Sequence, residues 1–220
     1  MCGIYGSTCF AQFKKLYNLN VNRGNFASGH VYLDREGKSI HISKSPGQVK
    51  YTEPPVEASY YMGHTQSPTG SNREYHPSTT HPFESGNWLI GHNGVINNWR
   101  QLAEKYIPNH KCTVDTSIVP ALLEMYIAAR HTIEEVDLIV QKVLNMIRGT
   151  YGVFIYNKVY DVLYVARCGS TMFFNDKNMA FSSTQVPGLD SLPEHILYKI
   201  VNEKFTKVGA LKNNSSFIIF

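Results

Sequence analysis

Ile133-Glu134-Glu135-Val136-Asp137-Leu138-Ile139-Val140-Gln141-Lys142-Val143-Leu144-Asn145-Met146-Ile147-Arg148 runs directly into Gly149-Thr150-Tyr151-Gly152-Val153-Phe154-Ile155-Tyr156. In the first stretch the apolar residues recur at helical spacing. After Gly149, read as the helix stop, they alternate as in a strand. Upstream, Thr116–Arg130 carries a second amphipathic helical pattern, with Asp115 or Thr113 available as its cap. Downstream, Val153–Tyr156, Val162–Ala166, Thr171–Phe174 and Met179–Ser182 read as short strands separated by turns. Before the helices, Cys2–Phe10, His30–Asp34, Ser39–Ser43, Ala58–Thr65 and Asn87–His92 also read as strands. Asp34-Arg35-Glu36-Gly37 is a plausible hairpin turn. Strands, two helices, then strands again predict a layered α+β domain with mostly antiparallel sheets.

The segments between are less regular. Ala11–Asn22 has a weak helical spacing of Phe13, Leu16, Tyr17 and Leu19. Arg23–Gly29 reads as a turn-rich loop and Pro46–Pro55 as a polar loop. Gln66–Gly86 reads as a long functional loop, and Val95–Tyr106 as a strand end followed by a helix. In the tail, Ile196–Val201 and Phe217–Phe220 are apolar and are expected to complete the fold or cover an edge.

The chain has 220 residues, 43% hydrophobic and 17% charged, enough to bury a sizeable core. Its net charge is +4, without a basic run, which disfavours a dedicated nucleic-acid binder. No stretch approaches the ~18 apolar residues of a membrane span, and no secretion signal opens the chain. A cytoplasmic location is expected. The four cysteines, Cys2, Cys9, Cys112 and Cys168, have no metal or disulfide spacing and are expected to be reduced. His64, His76, His81 and His92 match no zinc signature, so neither metal nor cofactor is expected. The many Tyr and Phe residues read as core.

Removal of Met1 would leave Cys2 with a free α-amine on the residue that carries the thiol. The reference pKa of such an amine is about 7.7–8.0, so a useful fraction is neutral near pH 7. It can then act as general base toward its own thiol. Taken alone, this is a cysteine near a terminus. Likewise Asn93-Gly94 alone is an ordinary turn, Asp115 a helix cap and Arg23 a surface residue.

The ordered set is more specific: Met1-Cys2-Gly3-Ile4-Tyr5-Gly6, Arg23-Gly24 with Gly29, Gly63-His64-Thr65-Gln66-Ser67-Pro68-Thr69, His81-Pro82-Phe83, and Gly91-His92-Asn93-Gly94-Val95-Ile96-Asn97-Asn98. Val114-Asp115-Thr116, Gly149-Thr150-Tyr151-Gly152, Leu163-Tyr164-Val165-Ala166-Arg167 and Phe181-Ser182-Ser183 follow in order. This set resembles the class II glutamine amidotransferase domain, an N-terminal-nucleophile (Ntn) hydrolase, in its stand-alone form.

The resemblance implies a four-layer αββα sandwich, two antiparallel sheets flanked by helices, spanning residues 1–220 as a single domain. It implies that Cys2 attacks the side-chain amide of L-glutamine, and that Asn93 and Gly94 form the oxyanion hole. Asp115 would hold the substrate α-ammonium. Arg23 would orient the terminus or support the oxyanion-hole loop. His64, Thr65, Gln66 and Thr69 fall in the substrate-binding motif. Gln66 stands where most members carry an arginine that clamps the α-carboxylate, so a charged bidentate group has become a neutral amide. Arg73 is the expected replacement. Gly70 and Ser71 also depart from the usual loop. The chain shows no acceptor site or nucleotide-binding loop, so a separate synthase acting in trans is the expected partner. Two other readings stay open: an Ntn amidase for a different amide, and a catalytically idle binding domain.

Overall fold

The computed structural model describes residues 2–34, 39–49, 57–67, 74–127 and 131–214. The elements in chain order are β1 (Gly3–Ser7), α1 (Phe10–Asn20), a 3₁₀ turn (Val21–Arg23), β2 (Ala27–Asp34), β3 (Ile40–Pro46), β4 (Ala58–Gln66), a 3₁₀ turn (Pro77–Thr79), β5 (Phe83–Ser85), β6 (Trp88–Ile96) and α2 (Trp99–Tyr106). A 3₁₀ turn (Asp115–Ser117), α3 (Ile118–Tyr126), α4 (Ile133–Met146), β7 (Gly149–Asn157), β8 (Val162–Cys168), β9 (Phe173–Asn175), β10 (Ala180–Ser182), β11 (Asp190–Ser191), β12 (Ile196–Val201) and β13 (Lys204–Ala210) follow. Two compact units result: Met1–Pro82 with Thr171–Leu192, and Phe83–Ser170 with Pro193–Phe220.

The first unit is a seven-stranded antiparallel sheet in the order β11-β9-β10-β1-β4-β2-β3. Helix α1 covers one face with Phe13, Leu16, Tyr17 and Asn20, which fall on one helical stripe. Phe13, Leu16 and Tyr17 pack into an aromatic core with Tyr5, Tyr32 and Tyr61. Leu19, read as part of that stripe, is 41% exposed, and Asn20 takes the buried position. Strand β2 begins at Ala27, so Gly29 lies inside a strand rather than in the expected loop. A side chain at Gly29 would collide with the His81 carbonyl at 1.8 Å. The expected turn after Asp34 falls on residues outside those described, as do residues 50–55 of the expected loop Pro46–Pro55.

The second unit is a six-stranded antiparallel sheet, β13-β12-β8-β7-β6-β5, covered on one face by α2, α3 and α4. Helix α4 buries Val136, Val140, Val143 and Leu144, spaced as one stripe. Its start is a capping box: Glu135 N donates to Thr132 Oγ1 at 3.3 Å, and Thr132 N donates to the Glu135 carboxylate at 2.7 Å. The helix ends at Met146, and Gly149 opens β7 instead of stopping the helix. Helix α3 starts at Ile118, later than expected, because Asp115–Ser117 form the tighter turn; residues 128–130 lie outside those described. In the tail, β12 pairs with β8 and β13 with β12, extending the sheet. Phe217–Phe220 lies outside the described residues. No helix among them is long and apolar enough to cross a membrane.

Candidate active site

In the first unit the expected residues gather around the start of β1. Cys2 is partly buried, and its thiol donates toward the Ser67 carbonyl at 3.7 Å. Arg23, at the end of the 3₁₀ turn, donates from Nε to the Cys2 carbonyl at 2.9 Å and from Nη1 to the Ser183 carbonyl at 3.1 Å. Burial draws the Arg23 pKa below its ordinary value, and the neighbouring Cys2 pushes it back up. Ser183 in turn brackets β1: Ile4 N donates to its hydroxyl at 3.0 Å, and its own N–H donates to the Ile4 carbonyl at 2.8 Å.

Asn20 ties these pieces together. Its Nδ2 donates to Leu16 O and Ser182 Oγ, both at 2.8 Å. Its Oδ1 accepts from Ser183 Oγ and Thr184 Oγ1, and its backbone carbonyl accepts from Thr65 Oγ1. Every polar atom of a fully buried side chain is thereby satisfied. Neither Asn20 nor the bracketing role of Ser183 was anticipated. The visible signal was a polar residue seven positions after Phe13, in phase with the buried stripe.

The substrate-binding motif on β4 is largely interior. His64 and Thr65 are fully buried, and the His64 ring stacks on His81 with centroids 3.8 Å apart. Gln66 is 2% exposed and donates from Nε2 to the Thr79 carbonyl at 3.3 Å. The Gly24 backbone packs against it so closely that a Cβ there would lie 2.4 Å from the Gln66 carbonyl carbon. Thr69 and Arg73 lie outside the described residues, as do Gly70 and Ser71.

In the second unit Asn93, Gly94 and Asp115 come together at the end of β6. Gly94 pairs with Tyr151 on β7 and has φ +149°, a conformation few L residues adopt. A Cβ on Gly94 would sit 2.0 Å from Thr150 O. Across the ladder, a Cβ on Gly149 (φ +134°) would sit 2.0 Å from Val95 O. Glycine on both strands permits this close approach. Asn93 is buried, and its Nδ2 donates to Ser170 Oγ at 3.1 Å. Ser170 Oγ donates to the Asn93 carbonyl, also at 3.1 Å. The buried Asn93 Oδ1 makes no hydrogen bond.

Asp115 opens the 3₁₀ turn before α3. Its Oδ2 accepts from Ile96 N at 2.7 Å and its Oδ1 from Thr116 N at 2.8 Å. A carboxylate has about four acceptor positions, so these backbone donors orient it and leave capacity for a cation. Behind it lies His92, with Nε2 3.2 Å from the Thr150 carbonyl and Nδ1 2.8 Å from Thr116 Oγ1. Burial lowers the His92 pKa, while Asp115 and the Thr150 carbonyl push it back. In the neutral ring Nε2 carries the proton, because a carbonyl only accepts. Nδ1 lies against the Thr116 hydroxyl, whose single hydrogen also has Asp115 Oδ1 within reach at 3.3 Å. Among the described residues no group of three or more His, Cys, Asp or Glu side chains is placed to hold a metal ion.

Two antiparallel sheets, each with helical cover, recur in solved structures. The chain matches the structure of glutamine phosphoribosylpyrophosphate amidotransferase from Bacillus subtilis with a TM-score of 0.73 at 18% identity. That match covers 94% of this chain and 48% of that one. It also matches a glutamine aminotransferase class-II domain protein from Silicibacter pomeroyi (TM-score 0.56, 10% identity), covering 96% of this chain and 99% of that one. The fold is that of the Ntn hydrolases. In sequence, the chain is 26% identical over 178 residues to the isomerizing glutamine–fructose-6-phosphate aminotransferase of Bacillus subtilis, covering 76% of this chain. It is 30% identical over 199 residues to that of Streptococcus agalactiae, covering 83%. No protein-family model matches the chain. In fold and in sequence the chain is similar to glutamine amidotransferases and aminotransferases. It spans 29% and 32% of the length of these two curated relatives.

Proposed function

We propose that residues 1–220 act as one glutaminase domain that hydrolyses the side-chain amide of L-glutamine through Cys2. The observation that carries this reading is Arg23 holding the carbonyl of Cys2 at the head of β1, which fixes the one residue able to supply both thiol and amine. After removal of Met1, the α-amine takes the thiol proton. The thiolate attacks the glutamine Cδ, and the carbonyl electron pair moves to oxygen. Asn93 Nδ2–H and Gly94 N–H donate to that oxyanion, where one such donor is worth about 2.7–4 kcal/mol. Collapse breaks the C–N bond, and the α-ammonium returns its proton to the leaving ammonia. Water then attacks the γ-glutamyl thioester, releasing glutamate and regenerating the thiol. Asp115 receives the substrate α-ammonium, and Arg73 and Thr69 serve its α-carboxylate end. Arg23 keeps the terminus oriented throughout.

The relatives are named for moving glutamine nitrogen to fructose-6-phosphate, and this chain spans less than a third of their length. In the proposed reading the ammonia is passed to a synthase component acting in trans, in the cytoplasm. Gln66 favours a second reading, an amidase whose substrate lacks the α-carboxylate, because its amide is buried, uncharged and bonded to Thr79.

Intact-mass measurement before and after an electrophilic glutamine analogue tests the first reading. The expected result is loss of Met1 and one adduct, absent in Cys2→Ala. A processed protein that takes no adduct, yet is labelled by an analogue without the carboxylate, supports the second reading. Retention of Met1 with no labelling refutes both.

A further inference from the structure

We infer that Ser170 is the positioning residue of the oxyanion hole, holding the Asn93 amide so that an N–H is presented to the substrate oxygen. This rests on the glutaminase reading above and adds a residue to it. A serine hydroxyl has one hydrogen and two acceptor lone pairs. Ser170 spends its hydrogen on the Asn93 carbonyl at 3.1 Å. Toward the side chain its oxygen is therefore an acceptor only, and only the NH2 end of the Asn93 amide suits it, again at 3.1 Å. The two bonds close a ring that fixes the side-chain torsions and sets which end of the amide faces Ser170. The second Nδ2 hydrogen remains for the oxyanion.

Asn93 Oδ1 shows why such a device is needed. It is buried and makes no hydrogen bond. An amide free to turn would reorient to relieve this, and would then offer a carbonyl oxygen where a donor is required. Ser170 is itself anchored. Its carbonyl accepts from Arg167 Nη1 at 3.2 Å, and Arg167 also binds Glu194 at 3.2 Å. The preceding Gly169 has φ +61° and bridges to Tyr151, the residue that pairs with Gly94. The hydroxyl is thus built into the same corner of the sheet as the donors it orients.

The test is a double-mutant cycle on glutamine hydrolysis with Ser170→Ala, Asn93→Ala and the pair, alongside Ser170→Thr, which keeps the hydroxyl. Asn93→Ala is expected to lower kcat by about 10²–10³-fold. Ser170→Ala is expected to lower kcat by about tenfold or more with KM within about twofold, and Ser170→Thr to recover most of it. In the Asn93→Ala background, Ser170→Ala should have no further effect. An equal additional loss there, or an unchanged kcat in Ser170→Ala while Asn93→Ala collapses, overturns the proposal and leaves the glutaminase reading standing. An unaltered Asn93→Ala overturns both the oxyanion assignment and the proposal. If the wild type does not hydrolyse glutamine, the glutaminase reading fails, and the Asn93 side-chain NH2 signals in ¹⁵N-correlated NMR decide for Ser170. A changed pair in Ser170→Ala, restored in Ser170→Thr, supports the bracket; an unchanged pair overturns it.

Discussion

Replacing Gly94 by alanine tests the geometry at the end of β6 most directly. The new methyl would lie 2.0 Å from Thr150 O and 2.9 Å from His92 Nε2, whereas real Cβ contacts essentially never fall below 3.0 Å. Strand β6 must therefore retreat from β7 by about 1 Å (3.0 − 2.0) at the residue whose N–H is assigned to the oxyanion. A misplacement of ~1 Å at a reacting centre costs on the order of 10²-fold in rate. The φ of +149° adds backbone strain of roughly 1–3 kcal/mol for a non-glycine residue. Expected, then, are a loss of kcat of about 10²-fold in glutaminase turnover and a lowered melting temperature. Gly91→Ala separates the two effects. A Cβ there would strike the Phe154 ring at 2.2 Å, three residues earlier on the same strand and away from the donor. It should lower stability and leave kcat within about threefold. A folded Gly94→Ala with near-wild-type kcat, or equal kcat losses in both variants, would refute the reasoning.

Two further outcomes concern buried charge. Burial and the nearby His64 bring the His30 pKa down to about 3, so between pH 6.5 and 3 the unfolded chain binds the proton that folded His30 refuses. Stability must fall with pH in that window. From pH 7 to pH 5 the His30 share is about 2 kcal/mol (about 1.5 units at 1.36 kcal/mol each), and urea titrations should show this loss reduced by that amount in His30→Gln, which keeps a partner for Tyr5. Parallel losses in both proteins would contradict the assignment. On α4, Asp137 accepts from Tyr164 at 2.8 Å and from Lys199 at 2.6 Å, with side chains 12% and 20% exposed for Asp137 and Lys199. Asp137→Asn should destabilise by roughly 3 kcal/mol in denaturant unfolding, and adding Lys199→Met should recover part of it; an unchanged midpoint would show the pair to be immaterial.

Elements governed by local periodicity were legible in the sequence. The helix-to-strand change near Gly149 was visible because α4 presents one apolar stripe and β7 alternates. The Thr132/Glu135 capping box was equally available and overlooked. Helix α1 was ambiguous because its fourth buried position is a polar residue, Asn20, whose burial depends on hydroxyls more than 160 residues away. Asn93-Gly94 reads locally as a turn, yet it lies inside β6, because Gly149 on the partner strand admits the close approach. The candidate residues Cys2, Arg23, Asn93, Gly94 and Asp115 were found through the ordered motifs. Ser170 and Asn20 were not singled out and Ser183 entered only within a motif, since their significance lies in long-range hydrogen bonds; of the three only Asn20 left a trace, its phase with the buried stripe.

Each unit ties its own portion of the proposed machinery down with hydrogen bonds. Around Cys2 the fixed groups are Arg23, Ser183 and Asn20. Around Asn93 and Gly94 they are Ser170, the Gly149 approach and the twice-bonded Asp115. Donors that need not reorganise during reaction stabilise developing charge far better than donors that must. In contrast, Gln66 spends its amide on Thr79 inside the fold and offers no charge at the motif position where a guanidinium was expected. In the proposed reading, nucleophile activation and oxyanion stabilisation rest on hydrogen bonds already in place in this chain. Recognition of the substrate α-carboxylate is where its chemistry departs from the motif, and there substrate choice is most open to divergence.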